Sequence, residues 1–358
     1  MNDLIGRWVR PEIQGLCAYQ VPDAGGLIKL DAMENPYTWP EDLRRQWLEL
    51  LDGVDVNRYP DPQARALKQR LTKAMDIPAG AGLLLGNGSD ELIMMLALTL
   101  TGPDRTVLSV DPGFVMYRMI ATFAGMAYQG VPLKADDFSL DVPAVLEAID
   151  RHQPAVVYLA WPNNPTGNLF AEADVRRIIE AAPGLVVVDE AYAPFTDSSF
   201  MSEVGCYPNL LVMRTLSKMG LAGLRLGLLA GPGPWLAEID KTRLPYNINV
   251  LTQVSAEFAL RHEDVFNRQT RLIRQERARL FEALEGMPGV RAFPSEANFI
   301  LARMPAARAD GIHAALKSAG VLVKNLHGAH PLLADCLRIT VGRPEENQAF
   351  LQALADLL

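Results

Sequence analysis

The chain has 358 residues, 49% hydrophobic and 21% charged, with a formal net charge of −8. That length exceeds one ordinary core and suits about two domains. An acidic chain without a basic block makes a poor nucleic-acid binder, so any anion it holds needs a local pocket. No run of 18 uncharged apolar residues occurs, so neither a transmembrane helix nor a membrane partner is expected. Charges break up the first ten residues, unlike the apolar core of a signal peptide. Cys17, Cys206 and Cys336 lie far apart without a CxxC pair. Neither a disulfide framework nor a metal site is expected, and a reducing cytoplasm is the expected compartment.

The first forty residues mix Pro, Gly and aromatics and read as an arm packing on the small domain, not as an independent unit. Pro40-Glu-Asp opens a helix with acids in its first turn, as the helix dipole favours. Asn57-Arg58-Tyr59-Pro60-Asp61-Pro62 is a turn-rich loop, followed by an amphipathic helix over 64–75. From residue 83 the pattern alternates. Short apolar runs at 83–85, 106–110, 155–159, 185–188, 210–213 and 226–230 are separated by helical stretches. Such runs predict a mainly parallel sheet covered on both faces. Near 245 the character shifts to a break, a long charged helix over 264–284, and short strands near 290, 299, 321 and 336. The expected fold class is therefore α/β. A large domain spans 41–250, with helices covering its sheet, and a smaller α+β domain spans 251–358.

The distinctive strings each follow a strand's carboxyl end, where α/β sheets place ligands. Gly86-Asn87-Gly88-Ser89-Asp90-Glu91 opens a helix whose free N–H groups favour an anion, although on this string alone a plain Ser89 N-cap is the stronger explanation. Tyr117 follows Pro112-Gly113 and suits stacking against a flat ring, or a place in the core. Asn163-Asn164-Pro165-Thr166-Gly167 is a turn that presents Asn164 to a ligand hydroxyl, although turn chemistry alone accounts for it. Asp189 ends Leu185-Val-Val-Val, where a buried carboxylate needs a partner. A pyridinium N–H would supply one and would keep the ring an electron sink. A capping Asp is the alternative. Tyr192, three residues on, is within reach of such a ring's phenolic oxygen. In Arg214-Thr215-Leu-Ser217-Lys218, a lysine sits among small residues, hydroxyls and cations. This suits a Schiff-base lysine for pyridoxal 5'-phosphate, against the alternative of a surface lysine in a Gly-rich loop.

Taken together, Gly-Asn-Gly-Ser-Asp-Glu, Pro-Asn-Asn-Pro-Thr-Gly, Asp-Glu-Ala-Tyr, Arg-Thr-Leu-Ser-Lys and Gly-Leu-Ala-Gly-Leu-Arg225 resemble the signatures of the histidinol-phosphate aminotransferases. The resemblance runs from Leu30 to Gly342 and includes Asn57-Arg-Tyr-Pro-Asp and Ser295-Glu-Ala-Asn-Phe. It implies a fold-type I pyridoxal-phosphate transferase whose large domain carries a seven-stranded, mainly parallel sheet. It implies that Lys218 forms the Schiff base and Asp189 pairs with the ring nitrogen. Asn164 and Tyr192 would serve the phenolic oxygen and Tyr117 the ring face. The phosphate would be held by Ser89, Asp90 (through its main chain), Thr215, Ser217 and Arg225. Tyr59 would reach the phosphate in a neighbouring subunit, which implies a homodimer with shared sites. On the substrate side stand Arg338, Lys324, Tyr19 and Asn35. Two departures stand out. Arg225 follows Lys218 one residue sooner than in many relatives, and Lys324 stands where many carry Arg. Lys324 keeps the charge but loses the bidentate fork.

The implied reaction is transamination between histidinol phosphate and 2-oxoglutarate, in histidine biosynthesis. The alternatives are an aromatic aminotransferase or a threonine-phosphate decarboxylase on the same fold. A non-catalytic regulator would need an added DNA-binding module, and forty leading residues are too few for one.

Overall fold

A computed structural model describes residues 2–18 and 21–358. Twelve strands are described, in two sheets. β1 (Ile28–Leu30) belongs to the smaller sheet. β2 (Ala81–Gly86), β3 (Thr106–Asp111), β4 (Ala127–Pro132), β5 (Val156–Ala160), β6 (Leu185–Asp189), β7 (Leu210–Thr215) and β8 (Gly227–Pro232) form the larger one. Their spatial order is β2-β8-β7-β6-β5-β3-β4, and β8 alone runs antiparallel to its neighbours. The mainly parallel sheet expected from the apolar runs is therefore present, with the seven strands that the resemblance implies.

Burial explains why those runs were readable. Every residue of β5 and β6 is buried. Along β6, Val186 and Val188 join one core while Leu185 and Val187 join the core on the opposite face. A strand covered on both sides has no polar face to interrupt the apolar run.

The smaller sheet comprises β9 (Arg291–Ala292), β10 (Phe299–Arg303), β11 (Val321–Asn325) and β12 (Cys336–Thr340), in the order β1-β11-β12-β10-β9. It has its own core around Phe299, Ile339 and Phe350. The leading arm divides its contacts. β1 pairs in parallel with β11, while Arg10 donates to Thr122 O and Phe123 O on the large-sheet side. The helix Val250–Arg261 packs on Glu41–Asp52 and Arg65–Ala74, so large-sheet packing continues past residue 250. The 23-residue helix Glu263–Glu285 then touches both halves.

Elements with weaker apolar runs were not anticipated. They are β4, whose Gln129 and Gly130 dilute its pattern, and the helices Val142–His152, Gly233–Asp240 and Pro344–Ala355. Among the described residues, no helix is long and apolar enough to cross a membrane.

Candidate active site

The carboxyl ends of β2, β3, β5, β6 and β7 share one edge of the large sheet, and antiparallel β8 begins at that edge. A cavity of about 230 Å³ opens there. Its lining includes Ser89, Asn164, Asp189, Tyr192, Lys218 and Arg225. Residues far apart in sequence converge because they follow the ends of several different strands, with Asp189 and Tyr192 sharing the end of β6.

The anion side is built from backbone and hydroxyls. The helix Ser89–Leu100 points its amino end at the cavity. Gly88 precedes it with φ +85°, and a Cβ at this position would lie 2.6 Å from the Arg225 guanidinium. A Cβ on Gly227 would meet the Gly88 carbonyl carbon and Ser89 N at 2.8 Å. Two bare glycines thus let backbone and guanidinium close around one small volume. Thr215 Oγ1 donates to Ser217 Oγ (2.8 Å), and both line the cavity. The Asp90 carboxylate lies 3.4 Å from Arg225 and partly balances that guanidinium.

Asp189 forms the buried floor, 3% exposed. One carboxylate oxygen accepts from Tyr117 OH (2.7 Å) and the other from Ala191 N–H (3.1 Å). Burial pushes its pKa up to about 6, and those two donors hold back part of the rise. Such a carboxylate is poised to pair with a buried cation.

Tyr117 differs from the expectation. Its ring does not line the cavity but stacks on Tyr158 with centroids 4.6 Å apart, and its hydroxyl serves Asp189. Phe114, one helical turn earlier, lines the cavity instead. Sequence reasoning passed over Phe114 because the two aromatics lie three apart. The signal that could have separated them is chemical: the one with a hydroxyl belongs where a buried carboxylate needs a donor.

Asn164 joins both halves of the molecule. Its Nδ2 donates to Tyr192 OH (3.0 Å), and its Oδ1 accepts from Arg338 on β12 (2.6 Å). Arg338 is 8% exposed and also donates to Asp31 O (3.1 Å). Lys324 sits directly opposite Arg338 in the β11–β12 register, so both side chains leave the same face of the small sheet. Burial raises the Tyr192 hydroxyl pKa, with Arg338 acting in the other direction.

Lys218 follows β7 in a wide helical turn, Ser217–Leu221. Its amine donates to Ala32 O (3.4 Å) and lies 5.9 Å from the centre of the Tyr192 ring. Burial lowers its pKa to about 8, with Arg338 the next contributor. A largely desolvated amine of this kind is a workable nucleophile and base near neutral pH.

Two expected residues stand elsewhere. Asn35 is not in the lining of this cavity. Its Nδ2 donates to Met219 O and Gln269 Oε1, both at 3.0 Å, so it holds the loop behind Lys218. Tyr59 is 80% exposed, stacks on Tyr246 at 4.3 Å and does not enter its own chain's cavity. Tyr19 lies outside the described residues.

The donor set fits pyridoxal phosphate. A buried carboxylate, an amide, a phenol and a largely desolvated amine line one cavity with a guanidinium, and bare glycines at Gly88 and Gly227 leave room beside that guanidinium for an anion.

The profile of the family described as "Aminotransferase class I and II" matches residues 26–354. The chain is 57% identical over 353 residues to histidinol-phosphate aminotransferase 2 of Nitrosococcus oceani, covering 99% of this chain and 98% of that protein. It is 55% identical over 354 residues to histidinol-phosphate aminotransferase of Chromobacterium violaceum, covering 99% of each. The crystal structure of the Sinorhizobium meliloti histidinol-phosphate aminotransferase in complex with pyridoxal-5'-phosphate superimposes with a TM-score of 0.86. It shares 25% identity and covers 98% of this chain and 97% of that one. The chain therefore belongs to the class I and II aminotransferases and, within them, to the family of the histidinol-phosphate aminotransferases.

Proposed function

We propose that this protein exchanges the amino group of L-histidinol phosphate with 2-oxoglutarate, giving imidazole acetol phosphate and L-glutamate, as a step of histidine biosynthesis. The observation that carries the reading is the bond between Asn164 and Arg338. It joins a pyridoxal-type site at the large sheet to an anion site on the small one. Full-length identity of 50–57% to several histidinol-phosphate aminotransferases favours this over an aromatic aminotransferase or a decarboxylase.

The cofactor is pyridoxal 5'-phosphate, which when bound supplies an electron sink for the substrate carbon that bears the amine. Asp189 would hold the ring nitrogen's proton. Asn164 and Tyr192 would donate to the phenolic oxygen. Phe114 and Ala191 would line the ring's surroundings, with Tyr117 acting from beneath through Asp189. Ser89, the Asp90 main chain, Thr215, Ser217 and Arg225 would take the phosphate. Lys218 Nζ takes the proton from the amine-bearing carbon and later returns a proton, base and then acid. Arg338, with Lys324 beside it, holds the substrate's far anion, a phosphate in one substrate and a carboxylate in the other. Tyr19 is assigned to this side as well. Asn35 contributes by fixing the Lys218 loop.

The working unit is a homodimer. Tyr59 is exposed and stacks on Tyr246, and in a dimer it would complete the neighbour's phosphate site. The compartment is the cytoplasm, with no nucleic-acid or membrane partner.

The test is direct. Purified protein loaded with pyridoxal phosphate is mixed with histidinol phosphate and 2-oxoglutarate, and glutamate is measured. Release of CO2, or turnover of aromatic amino acids in preference to histidinol phosphate, would sink the proposal.

A further inference from the structure

Met33 lines the cavity with φ at 55°, in the left-handed region. A residue with a Cβ holds that conformation only when its surroundings enforce it. Here the enforcement is visible. Met33 N–H donates to Thr340 Oγ1 (2.9 Å), and Met33 O accepts from Asn298 Nδ2 (2.9 Å). Both partners are buried, and they come from adjacent antiparallel strands: Thr340 ends β12, and Asn298 immediately precedes β10. The Ser295-Glu-Ala-Asn-Phe motif, which the cavity lining leaves without a role, thereby acquires one.

The peptide unit between Ala32 and Met33 is the important one. It is trans, so its N–H and C=O point to opposite sides. Thr340 fixes the N–H. The C=O on the other edge, Ala32 O, accepts from the Lys218 amine (3.4 Å). The Met33 side chain also contributes, its Sδ accepting from Tyr192 OH (3.3 Å). Neighbouring residues are tied in the same way. Asp31 O accepts from Arg338, and Asn35 donates to Met219 O, next to Lys218.

We propose that Thr340 and Asn298 are positioning residues for the reaction, pinching Met33 so that Ala32 O is aimed at the Lys218 amine. A carbonyl there orients the amine's lone pair when it is neutral and supports the ammonium while Lys218 carries a proton. Without the pinch, residue 33 relaxes toward negative φ, the peptide plane turns, and the amine loses its only backbone acceptor among the described residues.

Thr340→Val removes the acceptor at nearly constant volume, Thr340→Ser keeps it, and Asn298→Leu removes the second arm. Three quantities are compared with wild type: deuterium exchange over residues 31–35 in cofactor-free protein, the pH midpoint for labelling of Lys218 by an amine-reactive reagent, and kcat and KM with the cofactor. Thr340→Val and Asn298→Leu are expected to speed exchange over 31–35. They should lower the labelling midpoint, because an acceptor for the ammonium is lost. They should reduce kcat about tenfold, the scale of one orphaned buried N–H, with KM for the amine donor nearly unchanged. Thr340→Ser should restore all three. Wild-type exchange and labelling in Thr340→Val would overturn the proposal, as would an equal kcat loss in the Val and Ser variants. The kinetic arm rests on the transaminase reading, but exchange and labelling do not. A wild-type protein that fails to transaminate would therefore defeat that reading and leave the pinch to be judged by the other two measurements.

Discussion

Asp189→Asn should make the cofactor-free protein more stable and the enzyme nearly inactive. Asp189 is 3% exposed, and its pKa rises from an ordinary 3.8 to about 6, chiefly through burial. The folded state therefore holds this proton where the unfolded chain releases it. The sign follows: this group costs stability as pH rises from about 4 to about 6, and the whole cost is present above that window. At about 1.4 kcal/mol per pH unit the cost is roughly 3 kcal/mol. Asparagine does not titrate and can still bond Tyr117 and Ala191, which now serve the carboxylate at 2.7 and 3.1 Å. Thermal melts of cofactor-free wild type and Asp189→Asn at pH 4, 5, 6 and 8 check this. The variant should melt several degrees higher at pH 8, and the gap should close toward pH 4. In the proposed role the carboxylate acts only with the cofactor bound, by holding the ring-nitrogen proton. The variant should therefore lose at least roughly 100-fold in kcat, the scale of removing one preorganised electrostatic partner. Identical melts at pH 8, or a less stable variant there, would refute the reasoning.

Gly88→Ala places a Cβ 2.6 Å from the Arg225 guanidinium at a φ of +85° and ψ of 165° that side chains avoid. The backbone strain of about 1–3 kcal/mol lowers stability, and the Cβ displaces the Arg225 guanidinium from the anion cradle, so cofactor affinity should fall roughly tenfold by equilibrium dialysis, about 1.4 kcal/mol. Arg338→Lys keeps the charge but cannot make both the 2.6 Å bond to Asn164 and the 3.1 Å bond to Asp31 O. Steady-state kinetics should show kcat/KM lowered roughly 10- to 100-fold for both half-reactions, from about 1.5–3 kcal/mol of lost charged hydrogen bonding. Labelling of Lys218 in cofactor-free protein should rise with pH around a midpoint near 8. Because Arg338 is the second cause of that lowering, Arg338→Gln should move the midpoint upward, and an unmoved midpoint would contradict the assigned cause.

The large sheet was legible because its central strands are buried on both faces. β6 is Leu-Val-Val-Val-Asp, and every residue in it is buried. The site was legible for the same reason, since polar residues that break an apolar run must sit at strand ends. Where faces are mixed, legibility fails. β4 lies at the sheet edge with Gln129 and Gly130 half-buried, and its run is broken. Tyr117 and Phe114 show a different limit. Both sit at the start of one helix, their rings meet edge to face at 5.4 Å, and helical spacing cannot say which one reaches the cavity. The helix's packing against Tyr158 and Asp189 decides it. Asn35 shows a third limit. Its partners Met219 and Gln269 lie 184 and 234 residues away, so its role as a loop anchor depends on contacts that no local pattern encodes.

Asn164 also constrains how the two halves of the site can be taken apart by mutation. Its amide nitrogen serves Tyr192 and its amide oxygen takes Arg338, so one buried side chain, 6% exposed, spans the proposed cofactor and substrate sides. An amide cannot exchange those roles without a flip that breaks both bonds. Truncating Arg338 therefore leaves the Asn164 oxygen unpaired, in addition to removing the anion's partner. A buried acceptor left unsatisfied costs about 1–3 kcal/mol by itself. It follows that Arg338→Ala overstates the contribution of Arg338 to substrate binding, and that Asn164→Ala and Arg338→Ala combined should cost less than the sum of the two. That deficit measures how tightly the two sites are coupled.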